Sequence, residues 1–254
     1  MIHRIIVTSF ILLLLSVSSL TAQQSRFDSA NTLLEENEYA EAIQLYQSIA
    51  DDGYESGALW LNMGIAYSQI DSLGVAKYYL LKAKTFKETA VLADDALLYV
   101  NNRFSRRSAV LPALPWDQFF QFLSDTFGLN ALIVTALILF YFAVGLIIWS
   151  WFRADLKIIL RKGSYLAFGL TTLLLLLSSI IYYQNNRYST AVMIDRQSVV
   201  HERPNESSSV ISTAYEGYTM RVDFKTGADH PEWKYVRLEN GMYGWVKKDG
   251  LKIL

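Results

Sequence analysis

Residue types that commonly carry catalysis are sparse in this chain, and their spacing gives them no common site. Cysteine is absent, which excludes disulfides, a thiol nucleophile, a cysteine metal site and a cysteine for lipid attachment. The three histidines, His3, His201 and His230, are scattered without HExxH-type spacing and read as surface residues. No nucleophile–base pairing accompanies them, so the chain is expected not to be an enzyme and to hold neither cofactor nor metal. What remains is recognition chemistry. Along Trp233-Lys234-Tyr235-Val236-Arg237-Leu238 the residues Trp233, Tyr235 and Arg237 alternate, so on a strand they share one face. Two aromatic side chains beside a cation are the types that dominate binding surfaces.

That strand needs a partner, and the sequence offers one after Asn240-Gly241, whose residues supply the positive φ of a two-residue type I′ turn. The return strand is then Tyr243-Gly244-Trp245-Val246. This register sets Val236 opposite Trp245 and Leu238 opposite Tyr243 on one buried face, with Trp233, Tyr235 and Arg237 pointing the other way. Residues 190–254 as a whole are rich in valine and aromatics and broken by Pro204, Gly217, Gly227, Pro231, Gly241, Gly244 and Gly250, the pattern of short strands in a small all-β barrel. Val200 with Pro204, Val210-Ile211, Gly217, Trp233-x2-Val236, Gly241, Gly244-Trp245-Val246 and Leu251 fall in the order found in bacterial SH3 domains, which this segment resembles. Val199-Val200-His201-Glu202-Arg203 departs from the usual opening strand. The resemblance implies a module that binds cell-wall material or protein, and it does not extend to polyproline recognition.

Residues 26–107 repeat. Ala30 and Gly64, Leu33 and Tyr67, Tyr39 and Leu73, Ala42 and Ala76, Tyr46 and Leu80, and Ile49 and Ala83 are each 34 residues apart, the tetratricopeptide period. Trp60-x2-Met63-Gly64-x2-Tyr67 followed by Ala76 and Ala83 carries the signature of that family; the earlier copy lacks the tryptophan, and its helices meet at Glu36-Asn37-Glu38. Two such copies bury too little surface alone, and Glu88–Phe104 is expected as a capping helix. By the same resemblance, ligand-facing residues lie on the first helix of each copy: Asn31, Leu34 and Glu35, then Ile65, Ser68 and Gln69. From Arg26 to Asp71 there is one base against nine acids, which reads as a solvated face or as an acidic entrance to a peptide-binding groove.

Two charge-free apolar runs, residues 129–152 and 163–183, stand between these modules. At ~1.5 Å per residue, either can cross a hydrocarbon core ~30 Å thick. Residues 153–162 between them hold Arg153, Lys157, Arg161 and Lys162 against Asp155, and a short basic loop stays cytoplasmic. Apart from Asn130 at the edge of the first run, the small polar groups are serine and threonine, which hydrogen-bond to helix backbone; with no intramembrane charge there is no ion or proton path. Residues 108–128 form a linker ending in WDQFFQFLSDTF, where Trp116, Phe119, Phe120, Leu123 and Phe127 make one apolar stripe, the pattern of an interfacial helix. Residues 1–22, with Arg4, an apolar stretch and small residues ending at Ala22, have the layout of a secretory signal peptide. The expected architecture is a multi-pass inner-membrane protein with its N-terminal and C-terminal domains both periplasmic.

A formal net charge of −1 and 52% hydrophobic residues argue against a nucleic-acid partner. The order of signal peptide, tetratricopeptide copies, basic-looped hairpin and terminal SH3-like domain resembles the BatE family of Bacteroides aerotolerance operon proteins. That resemblance implies an inner-membrane adaptor working with von Willebrand factor A-type membrane proteins and a MoxR-type ATPase in stress or oxygen tolerance. The alternative is a cell-envelope sensor or anchor whose terminal domain binds peptidoglycan peptides.

Overall fold

The computed structural model describes residues 23–106, 108–112 and 115–254; the expected signal peptide, with His3, lies outside the described residues. The chain separates into two compact units. One joins the described residues up to Ala109 with Thr190–Leu254, and the other is Val110–Ser189.

The first unit opens with paired helices: α1 (residues 23–35), α2 (Tyr39–Asp51), α3 (Gly57–Gln69), α4 (Leu73–Lys84) and α5 (Ala90–Arg103). The 34-residue period is written into the backbone. Asn37 and Asp71, one period apart, are the two non-glycine residues with positive φ among the described residues, at 66° and 62°, and each ends the first helix of its pair. Asn and Asp tolerate this region because their short polar side chains bond locally. The pairs approach closely through small residues: a Cβ on Gly64 would meet the Leu80 side chain at 2.6 Å. Ser56 caps α3, its hydroxyl accepting from the Leu59 N–H at 3.1 Å. Around these contacts Ala30, Ala42, Tyr46, Met63, Ala76 and Leu80 are fully buried, and α5 lays Ala93, Leu97 and Val100 onto the same core, as a capping helix should.

The rest of this unit carries, but for the first two residues of β1, a seven-stranded antiparallel sheet, β1 (Tyr188–Met193), β2 (Gln197–His201), β3 (Val210–Tyr215), β4 (Thr219–Asp223), β5 (Trp233–Leu238), β6 (Tyr243–Lys247) and β7 (Leu251–Ile253). Its first strand starts two residues ahead of the expected boundary. The hydrogen-bonded order is open, β3-β2-β6-β5-β4-β1-β7. Residues from every strand, among them Met193, Val200, Ala214, Val222, Val236, Val246 and Leu251, nevertheless meet in one cluster, so the sheet curls around a single core.

The β5–β6 register differs from the expected one by one residue. Tyr235 pairs with Trp245, Val236 with Gly244 and Arg237 with Tyr243. The turn is also longer than two residues: the Leu238 N–H donates to the Met242 carbonyl at 2.8 Å, and only Gly241 has positive φ. A type I′ turn needs positive φ at both central residues, and Asn240 does not adopt it. Since opposed residues share a face, the shift takes Trp245 and Tyr243 off the core side and sets them beside Tyr235. Val236, Leu238 and Val246 keep the core.

The second unit contains α6 (Pro115–Phe152) and α7 (Lys157–Arg187), two helices long and apolar enough to cross a membrane. Helical geometry in α6 breaks at Gly128, with φ 71° and ψ 153°, which divides the aromatic segment from the apolar run as the sequence suggests. The helices pack through small groups: Ala136, Ala143 and Ser150 on α6, and Ser164, Ala167, Thr171 and Ser178 on α7, are buried. Ser164 donates to the Ala143 carbonyl at 3.0 Å across the pair, whereas Thr171 and Ser178 donate to carbonyls of their own helix. The expected loop 153–162 is shorter, since α7 begins at Lys157; Arg153 and Asp155 form a paired bridge in what remains.

Candidate functional site

Strand parity builds the first candidate surface on the side of β5–β6 away from the core. Tyr235 stacks on Tyr243 with ring centroids 6.1 Å apart and packs on Trp245 at 5.2 Å. The Trp245 ring in turn meets His230 edge-on at 5.0 Å, and Trp233 meets His201 edge-on at 5.4 Å. Arg237 lies 5.5 Å from the Tyr243 ring centroid. Trp233, Tyr235 and Arg237 are thus together and half-exposed, Tyr243 is exposed, and Trp245 is 8% exposed. His201, read from sequence as a surface residue, is buried against Trp233, while His230 is exposed. The result is a row of rings with one guanidinium, suited to stacking and hydrogen bonding.

On the helices, the six residues expected to face a ligand divide by environment. Asn31 is an internal junction, its carbonyl oxygen accepting from the Tyr46 hydroxyl at 2.7 Å and the Asn62 amide at 2.9 Å. Burial pushes the Tyr46 hydroxyl up to about 12, against the downward pull of Asn62, and the charge of Glu35 adds to the rise. Leu34 and Ile65 pack against the helical core. Ser68 is buried, donates to the Ile65 carbonyl at 2.7 Å and has its own carbonyl covered by the Arg103 guanidinium at 2.8 Å. Glu35 and Gln69 are exposed.

Sequence reasoning missed a third feature, the contact between the helices and the sheet. Ser72, at the N-cap of α4, makes no side-chain cap bond; Glu216, from the β3–β4 turn, does so instead, accepting from the Gly74 N–H at 2.7 Å. A carboxylate on the positive end of a helix is electrostatically favoured. One turn along, Lys77 donates to the Gly217 carbonyl at 2.7 Å. Burial lowers the Lys77 ammonium's pKa, partly offset by Glu239, and burial raises the pKa of the Glu239 carboxyl against the pull of Lys77 and Thr219. Gly217, φ 80°, lets the Phe104 ring sit where a Cβ would be. The Arg106 guanidinium donates to the Tyr215 hydroxyl at 2.8 Å. Lys252 of β7 closes the row, 5.2 Å and 5.0 Å from the Tyr78 and Tyr79 ring centroids. These partners are some 140 residues apart in sequence, and no periodicity or motif announces such pairs.

The fold and its surfaces define a two-part head and a pair of apolar helices. No protein-family model matches the chain, and no curated protein matches it. Among the described residues no group of three or more His, Cys, Asp or Glu side chains could hold a metal ion.

Proposed function

We propose that this chain is a non-enzymatic membrane adaptor of the BatE-like kind, whose tetratricopeptide copies and SH3-like domain are held as one recognition head by a transmembrane hairpin. The observation that carries the reading is the docking of α4, and of Arg106 beyond α5, on the sheet. Segments that touch must lie on one side of a membrane, so the chain between them crosses an even number of times. Two apolar helices between the segments meet that condition. The basic residues Arg153, Lys157, Arg161 and Lys162 favour the cytoplasm for the connection, which leaves the head in the periplasm. The broken-off aromatic segment before Gly128 would lie in the outer interface, its Trp116, Phe119 and Phe127 all exposed on the protein itself.

An adaptor of this kind would gather its membrane partners, such as von Willebrand factor A-type proteins and a MoxR-type ATPase acting through them. Crosslinking in native membranes, with identification of the captured proteins, is the test: recovery of membrane-complex subunits supports the adaptor, and recovery of envelope polymer without protein goes against it. A second reading, peptidoglycan binding by the terminal domain, draws on the ring row Trp233, Tyr235 and Tyr243. Sedimentation with purified peptidoglycan, lost on Trp233→Ala with the fold kept, would favour it.

A further inference from the structure

Where the sheet meets the helices, two ammonium groups share one aromatic corner. Lys82 of α4 stands 3.7 Å from the Trp60 ring centroid and 6.0 Å from that of Tyr78. Lys252 of β7 stands 5.2 Å from the same Tyr78 ring, and its Nζ donates weakly to the Tyr79 hydroxyl at 3.4 Å. That hydroxyl donates onward to Gln47 Oε1 at 3.1 Å, and the Gln47 amide donates to Asp51 at 2.9 Å, so the Tyr79 oxygen is fixed with a lone pair toward Lys252. Both lysines are partly exposed. Among the described residues Lys252 has no carboxylate within ion-pair distance, and its remaining donors go unmatched by protein. The two ammoniums repel: burial first, then the charge of Lys82, lowers the Lys252 pKa.

One carboxylate already reaches this corner. Glu55, from the loop before α3, bonds Lys82 at 3.3 Å from a side chain that is 61% exposed. A single loosely held carboxylate on Lys82 shows the chemistry that the corner accepts, and Lys252 beside it is left for more of the same. We propose that Lys82 and Lys252, backed by Tyr78 and Tyr79, form a carboxylate-binding site for an acidic segment of a partner protein, with Glu55 as a built-in competitor. The site rests on the adaptor reading, whose partner it describes chemically. It is assembled from α4 and β7, so it exists only while the helices and sheet are docked.

The test uses the full chain in detergent, a fluorescent peptide of four glutamates with a free C-terminus, its amidated glutamine counterpart, and inorganic phosphate as competitor. Expected are saturable binding of the glutamate peptide and none of the glutamine peptide. Lys252→Met should weaken binding by about tenfold, the scale of a lost charged hydrogen bond, while Lys252→Arg retains it. Glu55→Gln should tighten it, an effect that a merely structural role for Lys82 and Lys252 does not produce. Binding of both peptides alike, displacement of the glutamate peptide by equimolar phosphate, or affinity unchanged in Lys252→Met would each overturn the site. Capture of the same crosslinked partners by Lys252→Met would also sink it and leave the adaptor reading standing.

Discussion

At the residue scale, the two tryptophans of β5–β6 show how a one-residue register change redistributes roles. Trp245 is not part of the sheet core, yet it is enclosed on its own face by Tyr235 and His230. Trp245→Ala should therefore cost ~3 kcal/mol through lost ring contacts and a cavity at the surface layer. Trp233, half-exposed with one edge-on contact to His201, should cost about 1 kcal/mol. Chemical denaturation of the full chain, followed by near-UV signals, would read the difference; equal losses would mean that Trp233 is as enclosed as Trp245. Glu239 adds a pH dependence. Its folded pKa is raised, so its stabilising effect is fully present below the ordinary carboxylate range and is lost as pH rises through the folded pKa. Glu239→Gln should then melt higher than the parent near neutral pH and equal it in acid, with the melting temperature followed against pH. The aromatic parity of Trp233, Tyr235 and Arg237 was legible because alternation is local. The turn was not, because Asn-Gly signals a two-residue loop from sequence alone, whereas in the fold only Gly241 takes the positive φ.

At the scale of elements, the 34-residue period told the helix pairs apart, and the structure adds that the left-handed residues at their turns, Asn37 and Asp71, follow the same period. Docking left no such trace. Two glycines, one packed inside the helical pairs and one against the sheet, make the distinction testable. Gly64→Leu drives a side chain into Leu80 and the Ala76 carbonyl, and should unfold the helical pairs outright. Gly74→Ala should act the other way on its own helix, where alanine is preferred by roughly 1 kcal/mol. Its Cβ, however, would meet the Met193 carbonyl at 2.7 Å and Ile194 Cα at 3.0 Å. Those are backbone atoms of the sheet, so the helices should stay intact while the sheet is pushed off α4. Far-UV helicity kept, with faster tryptic cleavage after Arg106 once its bond to Tyr215 is lost, is the expected outcome. Helicity lost in Gly74→Ala as in Gly64→Leu would show that the helices cannot stand without the sheet. Glu35→Ala with Gln69→Ala, both exposed, should reduce partner capture without moving the melt.

At the scale of the whole molecule, the docked head and the apolar pair constrain each other. Apolar length alone says that a helix can cross a membrane; it does not say that both do so, or in which direction. The contacts of Glu216 with Gly74 and of Lys77 with Gly217 supply the missing parity, because a single crossing between residues 110 and 189 would separate these partners by a bilayer. The absence of cysteine makes the consequence easy to measure. Thr32→Cys on α1 and Ser207→Cys beyond β2 are both on exposed residues of the head, and Lys162→Cys lies at the basic end of α7. A membrane-impermeant maleimide applied outside spheroplasts should label the first two alike and leave Lys162→Cys unlabelled until the membrane is opened. Labelling of only one of Thr32→Cys and Ser207→Cys would break the shared head, since the two segments could not then touch. Labelling of Lys162→Cys alone would keep the head and reverse the hairpin, leaving the head facing the cytoplasm.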